Sequence, residues 1–344
     1  MQKGEQLEAW KKTVAVIRQL LAGDRDQQWM DDFENTLYRS EMANPWFTKA
    51  QVTTALEGIC RLLEDAPLEK WMHSYPVNNH APLNVGIIMA GNIPLAGFHD
   101  FLSVISSGNK VIAKLSSSDQ YLLPFIARIF FSFIPELESR YEVASQLKQI
   151  DAVIATGSNN TSRYFEYYFG KMPHIFRKNR NSAAVITGIE NEYDIMLLGR
   201  DIFTYYGMGC RNVSKLFVPR KYSFNFFFEN ITSFAEVMQH NKYMNNFDYH
   251  QALYLLNRQN FLTNNFLIVI EDKSLSSPVG VMHFEYYDND EDLNQKLENV
   301  KEELQCVVSK KGFVLFGQAQ FPAIDDYADG VDTMEFLALL PTKK

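Results

Sequence analysis

Leu7, Trp10, Val14, Ile17 and Leu21 recur at steps of three and four residues, which places apolar side chains on one face of a helix. Residues 1–82 read as a helical segment, with a second helix beginning near Asp24 and a third near Thr48, a residue type suited to capping it. Cys60 falls on the apolar face of that third helix beside Ile59 and Leu62, where a free thiol serves as a small core hydrophobe. The pattern changes at Pro82. Short apolar runs of strand length now alternate with helical periodicity: Asn84–Ala90, Lys110–Lys114, Asp151–Ala155 and Ser182–Ile186. The first stops at Gly91, and the second and third run into Ser116-Ser-Ser118 and Thr156-Gly-Ser158. Buried strands alternating with helices make βαβ units and a largely parallel sheet, so residues 83–188 read as a doubly wound, nucleotide-binding type of domain.

Beyond Asp194 the pattern gives a helix, a tight Gly207-Met-Gly-Cys210 turn and a strand at Lys215–Val218. Further strands are predicted at Phe266–Ile270 and Val279–Phe284, a charged helix near Asp290–Leu304, and a strand around Val307. Residues 189–316 thus read as a second α/β domain, and the mixed tail, 317–344, is expected to return to the first.

Composition narrows the field. The chain of 344 residues carries 33 Lys plus Arg against 41 Asp plus Glu, a formal charge of -8, which disfavours a nucleic-acid partner. Three cysteines, Cys60, Cys210 and Cys306, are too few and too scattered for a disulfide framework or a zinc site. The seven histidines, His73, His80, His99, His174, His240, His250 and His283, show no paired ligand spacing, so no metal is expected. His99 and His174 flank the candidate site in sequence and are expected to cap or pack. The most apolar stretch, Tyr121–Leu137, is broken by Pro124, Arg128 and Pro135 and cannot span a membrane. The amino-terminal segment has no signal-peptide core, so a cytoplasmic protein is expected.

Two local patterns could carry chemistry. Cys210 follows Gly207 and Gly209 outside any apolar periodic run, and glycines let a backbone take unusual dihedrals and bring a reactant close. A cysteine in such a turn can be exposed and partly thiolate, although a structural turn has the same look. Asn92, just past a strand end, is either a turn former or an amide donor to a developing oxyanion. Ligands of open α/β sheets bind outside the carboxyl ends of the strands, where Ala90, Gly91, Asn92, Ser116, Gly157 and Ser158 would all lie. The usual Gly-x-Gly-x-x-Gly dinucleotide fingerprint is absent.

The order of these motifs resembles the aldehyde dehydrogenase superfamily. Asn84–Pro94 resembles its strand followed by Asn-x-Pro, and Ser107–Lys114 its Gly-Asn-x-Val-x-x-Lys segment. Ala155–Ser158 resembles its Thr-Gly-Ser turn, Gly207–Cys210 its Gly-Gln-x-Cys nucleophile turn, and Ser214–Val218 the strand behind it. Ser277-Pro-Val279 weakly extends the match. The resemblance implies an aldehyde-dehydrogenase-like α/β fold of two doubly wound domains with a helical amino-terminal segment.

It also implies roles. Cys210 would be the nucleophile, with the Asn92 amide and the Cys210 backbone N–H holding the oxyanion. Lys114 would contact the adenosine ribose of a nicotinamide cofactor, with Ala90, Gly91, Ser116, Ser117, Gly157 and Ser158 lining its cleft. Departures from the superfamily pattern sharpen the picture. Arg177 stands where ordinary members carry the glutamate that activates the deacylating water, which disfavours oxidation to a free acid. Ser117 replaces the acidic residue that favours NAD, which leans toward NADPH with NADH as the alternative. No clear counterpart of the ribose-contacting glutamate occurs near Ser274. Arg177, Lys178 and Arg180 are candidate phosphate contacts, or else a solvated basic turn. Within the superfamily the chain resembles the fatty-acyl-CoA reductases known from bacterial luminescence. That implies NAD(P)H-dependent reduction of a long-chain acyl thioester to an aldehyde through an acyl-enzyme on Cys210. The substrate would be an acyl-CoA or acyl-carrier thioester, a synthetase or transferase partner could supply the acyl group, and the enzyme would form a homo-oligomer. The alternatives are a short-chain CoA-acylating aldehyde dehydrogenase, an acyl-phosphate reductase, or a non-catalytic binding protein of the same fold.

Overall fold

The computed structural model describes residues 3–76 and 81–341; His80 therefore lies outside the described residues. Helix α1 (Lys3–Leu21) buries Leu7, Trp10, Val14 and Ile17, the face its periodicity marked. Gly23, at φ 77°, ends it, with the Asp24 N–H reaching back to the Gln19 carbonyl. This stop and an Asp24 side-chain turn onto Asp26 N–H delay α2 to Met30–Ala43, later than the expected start near Asp24. Thr48 caps α3 (Lys49–Leu62) by accepting from Gln51 N–H, and Cys60 is buried there. Helix α4 (Asp65–Ser74) completes the amino-terminal set.

The chain divides into two compact units, one running to Asn179 and resuming at Phe321, the other spanning Arg180–Gln320. The first contains β1 (Asn84–Ile88), α5 (Phe98–Ser106), β2 (Lys110–Lys114), α6 (Leu122–Phe133), β3 (Tyr141–Val143), β4 (Ala152–Thr156), α7 (Asn159–Phe169) and β5 (His174–Arg177). Its strands pair in the order β3-β2-β1-β4-β5, all parallel. The order reverses between β1 and β4, so a crevice opens at their carboxyl ends, where parallel α/β sheets take ligands. Trp10 anchors the helical layer, stacked on Phe130 of α6 at 4.0 Å and edge-on to Phe98 and Phe101 of α5. Below β4, Val153, Ala155 and Phe165 form a further apolar cluster.

The second unit holds β6 (Asn181–Val185), α8 (Glu192–Phe203), β7 (Val213–Pro219), α9 (Phe224–Asn230), α10 (Asn241–Leu256), β8 (Leu262–Thr263), β9 (Ile268–Glu271), β10 (Val281–Tyr287), α11 (Asp290–Asn299), β11 (Leu304–Ser309) and β12 (Val314–Leu315). The order is β12-β11-β6-β7-β10-β9-β8, parallel except where β8 meets β9. Ala183, Val185, Phe217, Tyr287 and Leu293 fill one apolar cluster, and Phe247, Ile268, Ile270 and Val281 another. Helix α12 (Thr333–Ala338), capped by Asp332, belongs to the returning tail.

Two expectations need correction. The fourth apolar run, counted at 83–188 with the first three strands, is β6, and Ala183 and Ala184 pair with Lys215 and Leu216 in the second sheet. Ser182 through Val185 are all buried, so the run carries no one-sided pattern that would assign it to either sheet. The charged helix ends at Asn299 rather than Leu304, because Leu304 already pairs with Asn181 as β11 begins. Among the described residues no helix is long and apolar enough to cross a membrane.

Candidate active site

On the first unit, β1, β2 and β4 deliver Ala90, Gly91, Asn92, Ser116, Ser117, Gly157 and Ser158 to one carboxyl edge. Lys114, the last residue of β2, is exposed there, as are Asn92 and Ser117. Gly91 is required by packing: a Cβ would overlap the Ser116 hydroxyl and press on Ser118. At Gly157 it would press against Phe165 and Thr161. Ser158 caps α7 by accepting from Thr161 N–H at 3.3 Å, so its hydroxyl serves the helix start. An exposed lysine, close-packed glycine turns and a helix start at a topological switch point suit the phosphates and ribose of a dinucleotide.

Asn92 lies on a turn held by groups that periodicity does not reveal. Leu95 adopts φ 60°, a left-handed conformation uncommon for a branched side chain, and is buried. Its N–H donates to Asp119 Oδ2 at 2.8 Å, and Leu122 N–H also faces that carboxylate. Burial pushes the Asp119 carboxyl up to about 6. Asn44, from the end of α2, donates to the Gly91 carbonyl at 3.3 Å.

On the second unit, Cys210 is exposed in the turn between α8 and β7. The approach is strained: Tyr205, Tyr206 and Gly207 follow one another at φ 53°, 55° and 78°. Asn212, 2% exposed, ties this turn together. Its Oδ1 accepts from Gly209 N–H at 2.7 Å, while Nδ2 faces the carbonyls of Asp201, Ile202 and Thr204 at 3.0, 3.3 and 2.7 Å. Ser182 on β6 donates to the Cys210 carbonyl at 2.9 Å, and Cys306 Sγ lies 3.1 Å from the same hydroxyl. Buried Asp201, also pushed up to about 6 by desolvation, accepts from Gly317 and Ala319 N–H below α8. The 530 Å³ cavity lined by Glu190, Arg220, Lys221 and Tyr222 opens past the far ends of β6 and β7, away from the Cys210 turn.

Of the three cations expected to meet phosphates, Arg177 does something else. It is 5% exposed, its Nη2 bonds Asp100 and Thr333 at 2.8 Å, and its Nη1 reaches the Ala328 carbonyl. The guanidinium ties the returning tail to α5 and β5, which the sequence could not disclose because these partners are remote. Lys178 is exposed, and Arg180 donates to the Leu304 carbonyl at 3.0 Å. His99 is half-buried against Tyr327 with Nε2 on the Ile324 carbonyl, and His174 stacks on Phe176.

Asn212, Ser182, Asp119 and Asp201 are the site-shaping residues that sequence reasoning missed. The only local signal was Asn212 itself, a turn-forming residue two places after the cysteine.

No family model matches the chain, and no curated protein matches it. Solved structures do. Aldehyde dehydrogenase 21 from Physcomitrella patens, in complex with the reaction product succinate, aligns with a TM-score of 0.67 at 12% identity, over 98% of this chain and 84% of that one. A Mycobacterium tuberculosis aldehyde dehydrogenase complexed with NAD+ aligns at 0.62 and 13% identity, over 90% and 73%. An aldehyde dehydrogenase from Bacillus cereus in an NAD+ complex gives 0.59 and 12%, over 90% and 72%. The chain has the aldehyde dehydrogenase fold, an α/β architecture of parallel sheets.

Proposed function

We propose that this protein is an acyl-CoA reductase that converts a long-chain acyl thioester to an aldehyde, with NADPH as the preferred cofactor. The observation that carries the reading is an exposed Cys210 on a strained turn, pinned by two buried side chains, within the aldehyde dehydrogenase fold. Strain of this kind persists only where surrounding structure over-determines it, and it concentrates at functional sites.

In this mechanism the Cys210 thiolate attacks the thioester carbonyl, and the oxygen takes the electron pair as an oxyanion stabilised by the Cys210 backbone N–H and the Asn92 amide. The C–S bond to CoA breaks and CoA leaves as its thiolate, taking up a proton. A bound nicotinamide cofactor would supply the hydride for the acyl carbon; the thiohemiacetal oxyanion then held on Cys210 collapses to aldehyde and free thiolate. Lys114, Ala90, Gly91, Ser116, Ser117, Gly157 and Ser158 would hold the cofactor, with no carboxylate at position 117 to repel a 2′-phosphate. The resemblance aligns Arg177 with the base that activates water in other members, and a buried guanidinium paired with Asp100 cannot serve as that base, which disfavours hydrolysis.

The test is NADPH oxidation with tetradecanoyl-CoA, compared between the natural protein and Cys210→Ala. Turnover that vanishes in the variant, and an acyl adduct on Cys210 by mass spectrometry, are expected. Parallel assays with acetyl-CoA, palmitoyl-CoA, an acyl phosphate and NADH fix chain length, carrier and cofactor. The absence of both turnover and adduct with every donor would sink the reading.

A further inference from the structure

The reading above, on which this inference rests, makes the Cys210 N–H an oxyanion donor, so the direction of that N–H decides the rate of acyl transfer. The peptide carrying it is held on every side. Its own carbonyl, that of Gly209, accepts from Asn212 N–H at 3.0 Å, and in a planar trans peptide the Cys210 N–H must then point the opposite way. On the amino side, Gly209 N–H is taken by Asn212 Oδ1 at 2.7 Å. On the carboxyl side, the Cys210 carbonyl is taken by Ser182 Oγ at 2.9 Å.

Neither holder is adaptable. Asn212 is itself anchored through Nδ2 to three carbonyls at the end of α8. Ser182 is fully buried on β6, and its Oγ also receives the Cys306 N–H of β11 at 3.3 Å. The neighbouring left-handed run Tyr205–Gly207 would relax if unrestrained. From this geometry we infer that Asn212 and Ser182 are positioning residues: one anchored to a helix end and one to two strands, they fix the rotation of the Gly209–Cys210 peptide and so aim its N–H at the forming oxyanion.

The experiment compares two reactions of Cys210 in the full chain. Acylation by p-nitrophenyl acetate builds an oxyanion, whereas alkylation by iodoacetamide does not. In Ser182→Ala and Asn212→Ala, acylation should slow about tenfold or more while alkylation stays within about twofold. Ser182→Thr, which keeps the hydroxyl, should recover most of the acylation rate. The double variant should lose less than the product of the two single losses, because both act on one peptide. Equal loss of acylation and alkylation would reduce the pair to structural supports, and no loss of either would overturn the inference directly. A natural protein that alkylates but accepts no acyl group from ester or acyl-CoA would overturn the acyl-transfer reading, and this inference with it. Ser182→Ala removes one hydroxyl and carries the test if Asn212→Ala does not fold.

Discussion

Asp119 shows how a single buried carboxylate can serve a turn at a cost to the fold. It accepts from the N–H of Leu95, whose left-handed backbone shapes the turn bearing Asn92. Desolvation raises its carboxyl from an ordinary 3.8 to about 6. A carboxyl with a folded pKa above its unfolded one binds more protons when folded, so its ionisation costs nothing below about pH 4 and the full amount above about pH 6. At about 1.4 kcal/mol per pKa unit the cost approaches about 3 kcal/mol at neutral pH. Asp119→Asn keeps an acceptor for Leu95 N–H and removes the charge. Urea denaturation should therefore show the variant more stable than the natural protein at pH 7.5, by up to about 3 kcal/mol, with the difference falling to about 1 kcal/mol at pH 4.5. A variant less stable at pH 7.5 would mean that the charge-assisted bond outweighs desolvation.

At the scale of elements, β5 ends on an ion pair where the resemblance had suggested a phosphate contact. Arg177 and Asp100 are both buried, and Thr333 and the Ala328 carbonyl also hold the guanidinium. Removing one member of such a pair strands the other charge in a low-dielectric interior, which costs about 3–5 kcal/mol. Arg177→Met should destabilise the first unit by that amount in chemical denaturation, and Arg177→Met with Asp100→Leu should recover much of it. A loss below about 1 kcal/mol would show that Asp100 finds water or another partner. The same element shows why motif alignment misleads at this position. Chain order says that a residue stands where another family places its base, but only its distant partners, α5 and the tail, say where its side chain is used.

At the scale of the whole molecule, the chain leaves its first unit at Asn179 and comes back at Phe321. The returning segment supplies polar partners to that unit: the Ile324 carbonyl to His99, the Tyr327 hydroxyl to Trp71 Nε1 at 2.6 Å, and Asp332 to the Tyr75 hydroxyl at 2.7 Å. A chain ending after Gln320 removes these partners and takes the Ala328 carbonyl and Thr333 from Arg177, which keeps Asp100; each buried orphan costs about 1–3 kcal/mol. Hydrogen exchange should then show protection lost in α4, α5 and β5 and retained in β6, β7 and β10. Loss across both units would show that the second depends on the tail as well.

What the sequence determined by itself was local. The three-and-four spacing of Leu7, Trp10, Val14 and Ile17, the short apolar runs after Pro82, the Thr48 cap and the glycines before Cys210 all act through neighbours a few residues away, and each resolved into the expected helix, strand, cap or turn. The order of those turns was enough to suggest the fold. Tertiary structure alone decided which sheet β6 joins, that Arg177 pairs with Asp100, and that Asn212, Ser182 and Asp119 hold the two turns carrying the candidate chemistry. The physical reason is the range of the interactions. Periodicity reports which side of an element is apolar, whereas strand order and most buried hydrogen bonds join residues tens to hundreds of positions apart, such as Ser182 to Cys306 and Arg177 to Thr333, and leave no trace in local spacing. Even Asn212, only three places from the Gly209 N–H it holds, reads in sequence as an ordinary turn residue until the end of α8 is folded against it.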